Sequence, residues 1–371
     1  MPMATSGVLG PVLDDRSVYP TLDTTCLRDR LRSFPIQCHE AWNQAYAFEL
    51  PPSFRRVRSV VVAGMGGSAI GGDLLTGLAS LEGSVPISVC RDYQLPSYVD
   101  KHTLVLACSY SGETEETLAA FRQALGQGAK IVVIASGGTL TEEATKNSIP
   151  VLPVGFKGEP RTALGYSFLF PTVLLMNLGL ISDKTSQFRE ALEVLDTLLP
   201  EVGEECPSFK NPAKSIAQDL LGRLPVVYGA GIFTAVARRW KTQLNENAKV
   251  WASFDFLPEA NHNAVEGYSL PAHASQLLHV VLLKPDFLYS RTDLQYQITL
   301  ELLDNASVPY TTVASRGESP LSQILSTVIL GDYVSYYLAI LQCIDPSPVR
   351  SIEHVKLRLA DLGEARSTKR R

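Results

Sequence analysis

The stretch RSVVVAGMGGSAIGG, residues 58–72, decides the fold. It begins with a short run of β-branched and apolar residues, which is typical of a strand buried on both faces. Glycines then surround a single serine, and a helical pattern starts at Asp73. A strand, a glycine-rich turn and a helix in this order indicate the first half of a parallel βαβ unit.

The same alternation continues beyond this stretch. We predict further strands at residues 86–90, 103–108, 130–135 and 151–154, with helices at 115–125 and 140–146. Buried strands that alternate with helices favour a mainly parallel sheet with helices on both faces. The order then recurs: VVYGAGIFTAVARRW, residues 226–240, weakly matches VVVAGMGGSAIGGDLL, residues 60–75, but lacks the serine-bearing loop. We therefore predict two copies of one α/β fold.

The predicted domain organisation follows from this repeat. It comprises an N-terminal helical extension (1–57), a first domain (58–182), a helical linker (183–212), a second domain (213–345) and a C-terminal helix with a tail (346–371). Within these segments we expect helices near 25–34 and 36–47, a long amphipathic helix at 321–342, and a last helix at 350–362. The apolar segment 163–181 contains Pro171 and Asn177, so we expect a buried core helix rather than a membrane span.

Bulk composition excludes several classes of function. The chain has 371 residues, 45% of them hydrophobic, and a net charge of −5, which suits a two-domain globular protein and gives no nucleic-acid footprint. Six cysteines form no CxxC pair and six histidines lack close ligand spacing, so we expect no metal site. Cys90 and Cys108 fall in strand-like runs and should be buried thiols. With no apparent signal peptide, this favours the cytoplasm.

Two segments of the first domain carry the pattern of a phosphate site. GMGGS (64–68) and SYSGET (109–114) each lie between a strand and a helix. Glycines let the backbone approach an anion, and the helix N-terminus presents free N–H groups. Hydroxyl groups at the second helix start can donate to phosphate oxygens. The candidate phosphate-binding residues are Gly66, Gly67, Ser68, Ser109, Ser111 and Thr114.

Both segments also allow simpler or competing interpretations. Ser and Thr at a helix start often serve only as caps. Gly64, Gly66 and Ala69 also satisfy the dinucleotide fingerprint GxGxxG/A, but the acidic residue that this site needs is misplaced. Glu82 precedes the next strand and Asp92 comes late after it. No Walker-type loop is present.

GMGGS together with SYSGET resembles the SIS (sugar isomerase) domain, a flavodoxin-like α/β fold. Later motifs narrow the resemblance to the bifunctional phosphoglucose/phosphomannose isomerases. They are Pro160-Arg161, NENAK (245–249), PEANHN (258–263) and DPSPV (345–349) with Lys356. The resemblance spans residues 60–359. It implies a cytoplasmic homodimer that interconverts glucose 6-phosphate, and also mannose 6-phosphate, with fructose 6-phosphate, a step of glycolysis and gluconeogenesis, without metal or cofactor.

The resemblance also implies roles for individual side chains. Glu246 is the expected base that moves a proton between adjacent sugar carbons, and Arg161 the expected stabiliser of the enediolate. His262 is expected to open the sugar ring from the neighbouring subunit, with Lys356 assisting. Ser347 stands where the family has threonine and is the specificity candidate for mannose 6-phosphate. Each residue could instead have an ordinary structural role, such as a solvated helix-end Glu246 or a surface salt bridge of Arg161.

Three other functions compete with the isomerase. One is a non-catalytic SIS regulator that binds sugar phosphates, for which we find neither a helix-turn-helix segment nor a basic face. Another is an SIS isomerase for a different sugar phosphate. An SIS amino-sugar transferase would need a fused glutaminase domain, which the sequence lacks.

Overall fold

The computed structural model describes residues 13–271 and 273–368. The described part of the N-terminal segment is helical, which confirms the two predicted helices; residues 1–12 of the predicted extension lie outside the described residues. The elements are α1 (Val18–Leu22), α2 (Leu27–Arg32), α3 (Phe34–Tyr46) and a 3-10 turn (Pro52–Arg55).

The first sheet has five parallel strands in the order β2-β1-β3-β4-β5. This is the flavodoxin-like order, as expected. Gly64 pairs with Cys108, so the loops after β1 and β3 start side by side. The elements are β1 (Ser59–Gly64), α4 (Gly66–Ala79), β2 (Ile87–Cys90), β3 (Thr103–Ser109), α5 (Glu115–Gly126), β4 (Lys130–Ala135), α6 (Gly138–Lys146) and β5 (Val151–Pro153).

The second sheet has four parallel strands in the order β7-β6-β8-β9. Two parallel α/β sheets confirm the predicted fold class, while the domain boundaries stay predictions. The elements are α7 (Leu164–Asn177), α8 (Thr185–Val202), α9 (Pro212–Leu220), β6 (Leu224–Ala230), α10 (Phe233–Glu246), β7 (Ser253–Leu257), α11 (Ala274–Leu277), β8 (Leu278–Lys284), α12 (Ser290–Asn305), β9 (Tyr310–Ala314), α13 (Pro320–Leu341) and α14 (Arg350–Thr368), with 3-10 turns at Pro160–Thr162, Glu259–His262 and Ala264–Gly267.

Helix α13 corrects one prediction. We expected an amphipathic helix here, but every residue from Leu321 to Leu341 is buried. Helices α8, α9 and α10 pack around α13, so it has no face toward solvent. Its polar side chains are satisfied internally: Asp332 accepts hydrogen bonds from Arg239, and Ser335 accepts one from Asn247. Within 13–271 and 273–368, α13 is the one helix long and apolar enough to cross a membrane, and it is wholly enclosed in protein.

Other core predictions are confirmed. Helix α7 is buried continuously from Leu164 to Leu175, as expected of the apolar segment. Cys90 and Cys108 are buried free thiols, and burial raises the pKa of the Cys108 thiol to about 12. Helix α14 has the opposite character, because each residue from Arg350 to Leu362 is exposed.

Candidate active site

The glycine-rich loop after β1 lies against the turn that carries Arg161. Gly66 has φ +50°, a left-handed conformation that favours glycine. A Cβ at Gly67 would lie 2.8 Å from the carbonyl oxygen of Pro160 and 3.1 Å from the Cα of Arg161. Because any larger residue would collide there, glycine permits the contact between the loop and the Arg161 turn.

The SYSGET loop folds its hydroxyl groups toward one another. The hydroxyls of Ser109 and Thr114 lie 2.9 Å apart, and the N–H of Gly112 donates to Ser109 Oγ at 3.1 Å. Thr114 precedes α5, yet its side chain makes no capping bond to the helix. The exposed Ser111 accepts from the N–H of Glu113 at 3.2 Å. The arrangement therefore differs from a simple N-cap.

The two loops are joined directly. The N–H of Tyr110 donates to Ser68 Oγ at 3.3 Å, and the Tyr110 hydroxyl donates to the carbonyl oxygen of Phe156 at 2.8 Å. The structure thus brings the six candidate phosphate-binding residues to adjacent turns at the carboxyl edge of one sheet, where parallel α/β proteins bind ligands.

Glu113, which the sequence left without a role, anchors this loop to the next one. Its carboxylate accepts from the N–H of Thr139 at 2.7 Å and from the Thr139 hydroxyl at 2.9 Å, at the start of α6. Both oxygens of the Glu113 carboxylate therefore bond the start of α6. The acidic residue inside SYSGET is therefore consistent with an anion site.

Arg161 is buried, with 3% of the residue exposed, and its side chain bonds two distant segments of the chain. Its Nε donates to Asn247 Oδ1 at 2.7 Å, and one terminal nitrogen donates to the carbonyl oxygens of Pro346 (3.0 Å) and Ser347 (2.9 Å). Burial lowers the pKa of Arg161 while the carboxylate of Glu246 opposes that change, and a guanidinium keeps its charge in proteins. This environment differs from a surface salt bridge.

Glu246 is the last residue of α10 and faces Arg161. Its Oε2 lies 3.9 Å from the second terminal nitrogen of Arg161, and its side chain is 24% exposed. Such a carboxylate is only partly solvated, unlike an ordinary helix-end glutamate. The catalytic pair suggested by the resemblance is therefore adjacent in space.

Lys249 also belongs to this cluster, although the sequence argument gave it no role. Its Nζ donates to the carbonyl oxygens of Glu246 (2.5 Å) and Pro346 (2.9 Å). Its backbone is left-handed, with φ +58°. The available signal was its place at the end of NENAK, beside Glu246.

Ser347 sits beside Arg161 on the DPSPV loop. The residue is 5% exposed, and its N–H donates to Asp345 Oδ1 at 2.9 Å. Its hydroxyl oxygen lies 2.5 Å from that of Thr25 in the N-terminal segment. The specificity candidate therefore adjoins the catalytic candidates.

His262 and Lys356 stand apart from this cluster in the single chain. Both are exposed, His262 in a 3-10 turn after β7 and Lys356 on α14. Within the described residues no hydrogen bond or ion pair joins either side chain to Glu246 or Arg161. The neighbours of His262 do not hold its ring: Asn261 bonds the Thr299 hydroxyl at 3.0 Å, and Asn263 donates to Glu259 at 2.8 Å.

Comparisons with known proteins identify the family. Residues 209–359 match the family model described as bacterial phospho-glucose isomerase C-terminal SIS domain. The chain is 39% identical to a bifunctional phosphoglucose/phosphomannose isomerase of Caldicellulosiruptor bescii, over 89% of this chain and 98% of the relative. It is 35% identical to the enzyme of that name from Aquifex aeolicus, over 86% and 95%.

A solved structure shares the fold. The crystal structure of a hypothetical protein from Thermus thermophilus superposes with a TM-score of 0.75 at 17% identity, covering 95% of this chain and 94% of that one. At 17% identity, this structural similarity shows only that the two proteins share a fold. The family assignment rests on the two sequence relatives, because the similarity extends over almost their whole length. The chain belongs to the bifunctional phosphoglucose/phosphomannose isomerase family.

Proposed function

We propose that this protein is an aldose–ketose isomerase that interconverts glucose 6-phosphate and mannose 6-phosphate with fructose 6-phosphate. One observation carries the proposal: the Glu246 carboxylate faces the buried guanidinium of Arg161, whose turn contacts the Gly67 loop. A carboxylate that can move a proton, a fixed positive charge and an anion-binding turn are the parts this reaction requires.

In the proposed reaction the phosphate binds where the two loops meet. Hydroxyl groups of Ser68, Ser109 and Thr114 and backbone N–H groups at the starts of α4 and α5 would hold it through dipoles. Binding there fixes the sugar carbons in reach of Glu246. The remote phosphate therefore contributes orientation to the reacting centre.

The carboxylate of Glu246 then removes the proton from the second sugar carbon of the open-chain aldose. The electron pair of that C–H bond forms the carbon–carbon double bond of an enediolate, and the carbonyl oxygen becomes negatively charged. The guanidinium of Arg161 stabilises that oxygen. A proton then moves from the second-carbon hydroxyl to the first-carbon oxygen, and the electron pair of the double bond takes the proton back from Glu246 at the first carbon as the carbonyl forms at the second, which yields the ketose. Electrostatic stabilisation of this kind needs a charge that is already in position, which the buried bonds of Arg161 provide.

We also propose that the enzyme works as a homodimer in the cytoplasm, with His262 supplied across the interface for ring opening and Lys356 assisting. Both side chains are exposed in the single chain, and α14 is exposed along Arg350–Leu362. These features suit elements that are covered by a second copy. The free thiols of the six cysteines suit a reducing compartment.

A coupled assay tests the proposed activity. Purified protein is given fructose 6-phosphate, and the formation of glucose 6-phosphate and of mannose 6-phosphate is measured with and without EDTA. We expect both products at rates that the chelator leaves unchanged. Binding of sugar phosphate without turnover would favour the non-catalytic regulator, and turnover of a different sugar phosphate alone would favour another SIS isomerase.

The substitution Glu246→Gln tests the proposed base. It keeps the size of the side chain but removes the basic carboxylate, so we expect kcat to fall about 10²- to 10⁴-fold. Calorimetric affinity for fructose 6-phosphate should stay within about threefold, because the phosphate loops are untouched. The exposed Glu301 of α12 gives the matched control, and Glu301→Gln should leave both values unchanged. A parallel loss of affinity in the Glu246 variant would contradict the assignment.

A further inference from the structure

The N-terminal segment Asp23–Arg30 lies against the DPSPV loop of the candidate site. The Thr24 hydroxyl donates to Asp345 Oδ2 at 2.6 Å, and the Thr25 hydroxyl contacts that of Ser347. These contacts join residues more than 300 positions apart. They bring a segment that the sequence linked to no function to the specificity candidate.

The segment is held firmly enough to position a side chain. The Asp23 carboxylate accepts from the N–H of Leu27 at 2.7 Å and from that of Arg28 at 3.0 Å, at the start of α2. It also accepts from the hydroxyl of the buried Tyr336 on α13 at 3.2 Å. Thr25 therefore lies on a turn anchored at both α2 and the central helix.

The Thr25 hydroxyl contacts three polar side chains. Arg30 can only donate, and its Nη2 lies 2.9 Å from Thr25 Oγ1, so Thr25 accepts this bond. The other two partners of this hydroxyl are Ser347 Oγ at 2.5 Å, where either hydroxyl can be the donor, and Glu159 Oε1 at 3.3 Å, which accepts. Glu159 already accepts from Arg30 at 2.7 Å. Ser347 Oγ is therefore the nearest partner of the Thr25 hydroxyl, and the short contact holds the two hydroxyls together whichever of them donates.

The contact with Thr25 fixes the position of the Ser347 hydroxyl oxygen. A hydroxyl has one proton and two lone pairs, so Ser347 Oγ can bond Thr25 and still bond a further partner. Serine lacks the methyl group that restricts threonine rotamers, so its hydroxyl needs an outside partner to hold one orientation. Thr25 is that partner.

We infer that Thr25 is a positioning residue that orients the Ser347 hydroxyl and thereby sets turnover of mannose 6-phosphate relative to glucose 6-phosphate; this rests on the proposed function. The two substrates differ only in configuration at the second carbon. A misplaced hydroxyl near that carbon should therefore change the ratio of the two activities more than either phosphate affinity.

Steady-state kinetics on both substrates test the inference. Thr25→Val removes the hydroxyl and keeps the shape, Thr25→Ala serves as a second hydroxyl-free variant if the valine protein does not fold, and Thr25→Ser restores the hydroxyl. We expect kcat/KM for mannose 6-phosphate relative to glucose 6-phosphate to fall about tenfold in the first two variants and to recover in the third. Thr21→Val in α1, whose hydroxyl bonds only the carbonyl oxygen of Ser17 in the described residues, is the matched control.

A double-mutant cycle separates a positioning role from a merely structural one. If Thr25 acts through Ser347, then Thr25→Val should not lower the ratio further in a Ser347→Ala background. A ratio that falls by the product of the two single effects, or that is unchanged in both hydroxyl-free variants, overturns the inference. Wild-type protein that turns over glucose 6-phosphate but not mannose 6-phosphate also overturns it, whereas no turnover of either sugar contradicts the proposed function itself.

Discussion

At the scale of single residues, the environment of Lys249 in the candidate site changes its titration. Its ammonium group bonds the carbonyl oxygens of Glu246 and Pro346 and lies near the buried guanidinium of Arg161. Partial burial and the charge of Arg161 lower the pKa of Lys249 from 10.5 to about 8, although the carboxylates of Asp345 and Glu246 oppose that change. Lys249 is therefore protonated below about pH 8 and loses its charge above it.

This shift predicts a pH-dependent activity. We expect kcat/KM to decline as pH rises through about 8, because neutral Lys249 holds the end of α10 and the DPSPV loop together less strongly. Lys249→Arg should keep its activity to higher pH, since a guanidinium does not titrate in this range. Profiles of kcat/KM from about pH 6 to 10, with Lys241→Arg as the control, measure the difference. Identical alkaline declines in wild type and Lys249→Arg would rule out Lys249 as the titrating group.

A site residue could be found from the sequence when the residues that form its environment lie close to it along the chain. The phosphate-loop candidates lie within two short motifs, so local pattern was sufficient to propose them. Arg161, by contrast, receives its environment from Asn247 and Ser347, which are 86 and 186 positions away. Local pattern contains no such information, and only the family resemblance pointed to Arg161. Neither a local pattern nor the family resemblance pointed to Thr25.

At the scale of secondary-structure elements, α14 is the exception to the packing of the described chain. Apolar side chains at Ile352, Val355, Leu359 and Leu362 are 43–56% exposed. Around the axis of α14, at 100° per residue, these four side chains form an apolar stripe within one 80° sector. Lys356 lies about 40° beyond the edge of that sector. A surface that covers this stripe would therefore also contact Lys356, as the proposed dimer requires.

The apolar stripe of α14 predicts which substitution should separate the proposed dimer into monomers. Leu359→Glu places a charge inside the covered face, so we expect a shift from dimer to monomer in sedimentation velocity and a loss of activity at low protein concentration. Leu357 points to the opposite side of α14 and is also exposed, so Leu357→Glu should leave both unchanged. A Leu359→Glu protein that remains dimeric would show that α14 does not form the interface.

Element prediction succeeded where a buried pattern was strong. Strand β4 was predicted to the residue at 130–135, because both of its faces are buried and β-branched residues fill it. Strand β7 was missed, since this edge strand, SFDFL, carries Asp255 and is only partly buried. The amphipathic prediction for α13 was wrong because its few polar residues, such as Asp332, bond inside the protein.

At the scale of the whole molecule, α10 joins the two α/β halves. It packs against α4 from the first half and against α13 in the centre. Trp240 of α10 is buried and donates from its indole N–H to the carbonyl oxygen of Thr327 at 2.8 Å. Its ring lies where a side chain at Gly331 would be: a Cβ there would be 2.2 Å from Trp240 Nε1. Close approach of α10 and α13 therefore depends on glycine.

This contact predicts a stability difference between two helical glycines. Gly331→Ala should lower the free energy of unfolding by about 1–3 kcal/mol, because the methyl group must displace the Trp240 ring. Gly77→Ala in α4 is the control, since its Cβ would be 3.4 Å from the nearest atom, an ordinary contact, and alanine favours helix. Urea unfolding measures both. Equal stability of the two variants would contradict the packing argument.

The bonds of Arg161 have a further consequence during synthesis of the chain. The ribosome completes the first sheet and both phosphate loops long before it reaches Ser347, and domains generally fold as units, N-terminal first. Until residues 346 and 347 emerge, the guanidinium lacks the two carbonyl oxygens that hold it. A nascent chain is thus able to form its candidate phosphate-binding turns early, while the charge that would stabilise the enediolate is fixed only near the end of translation.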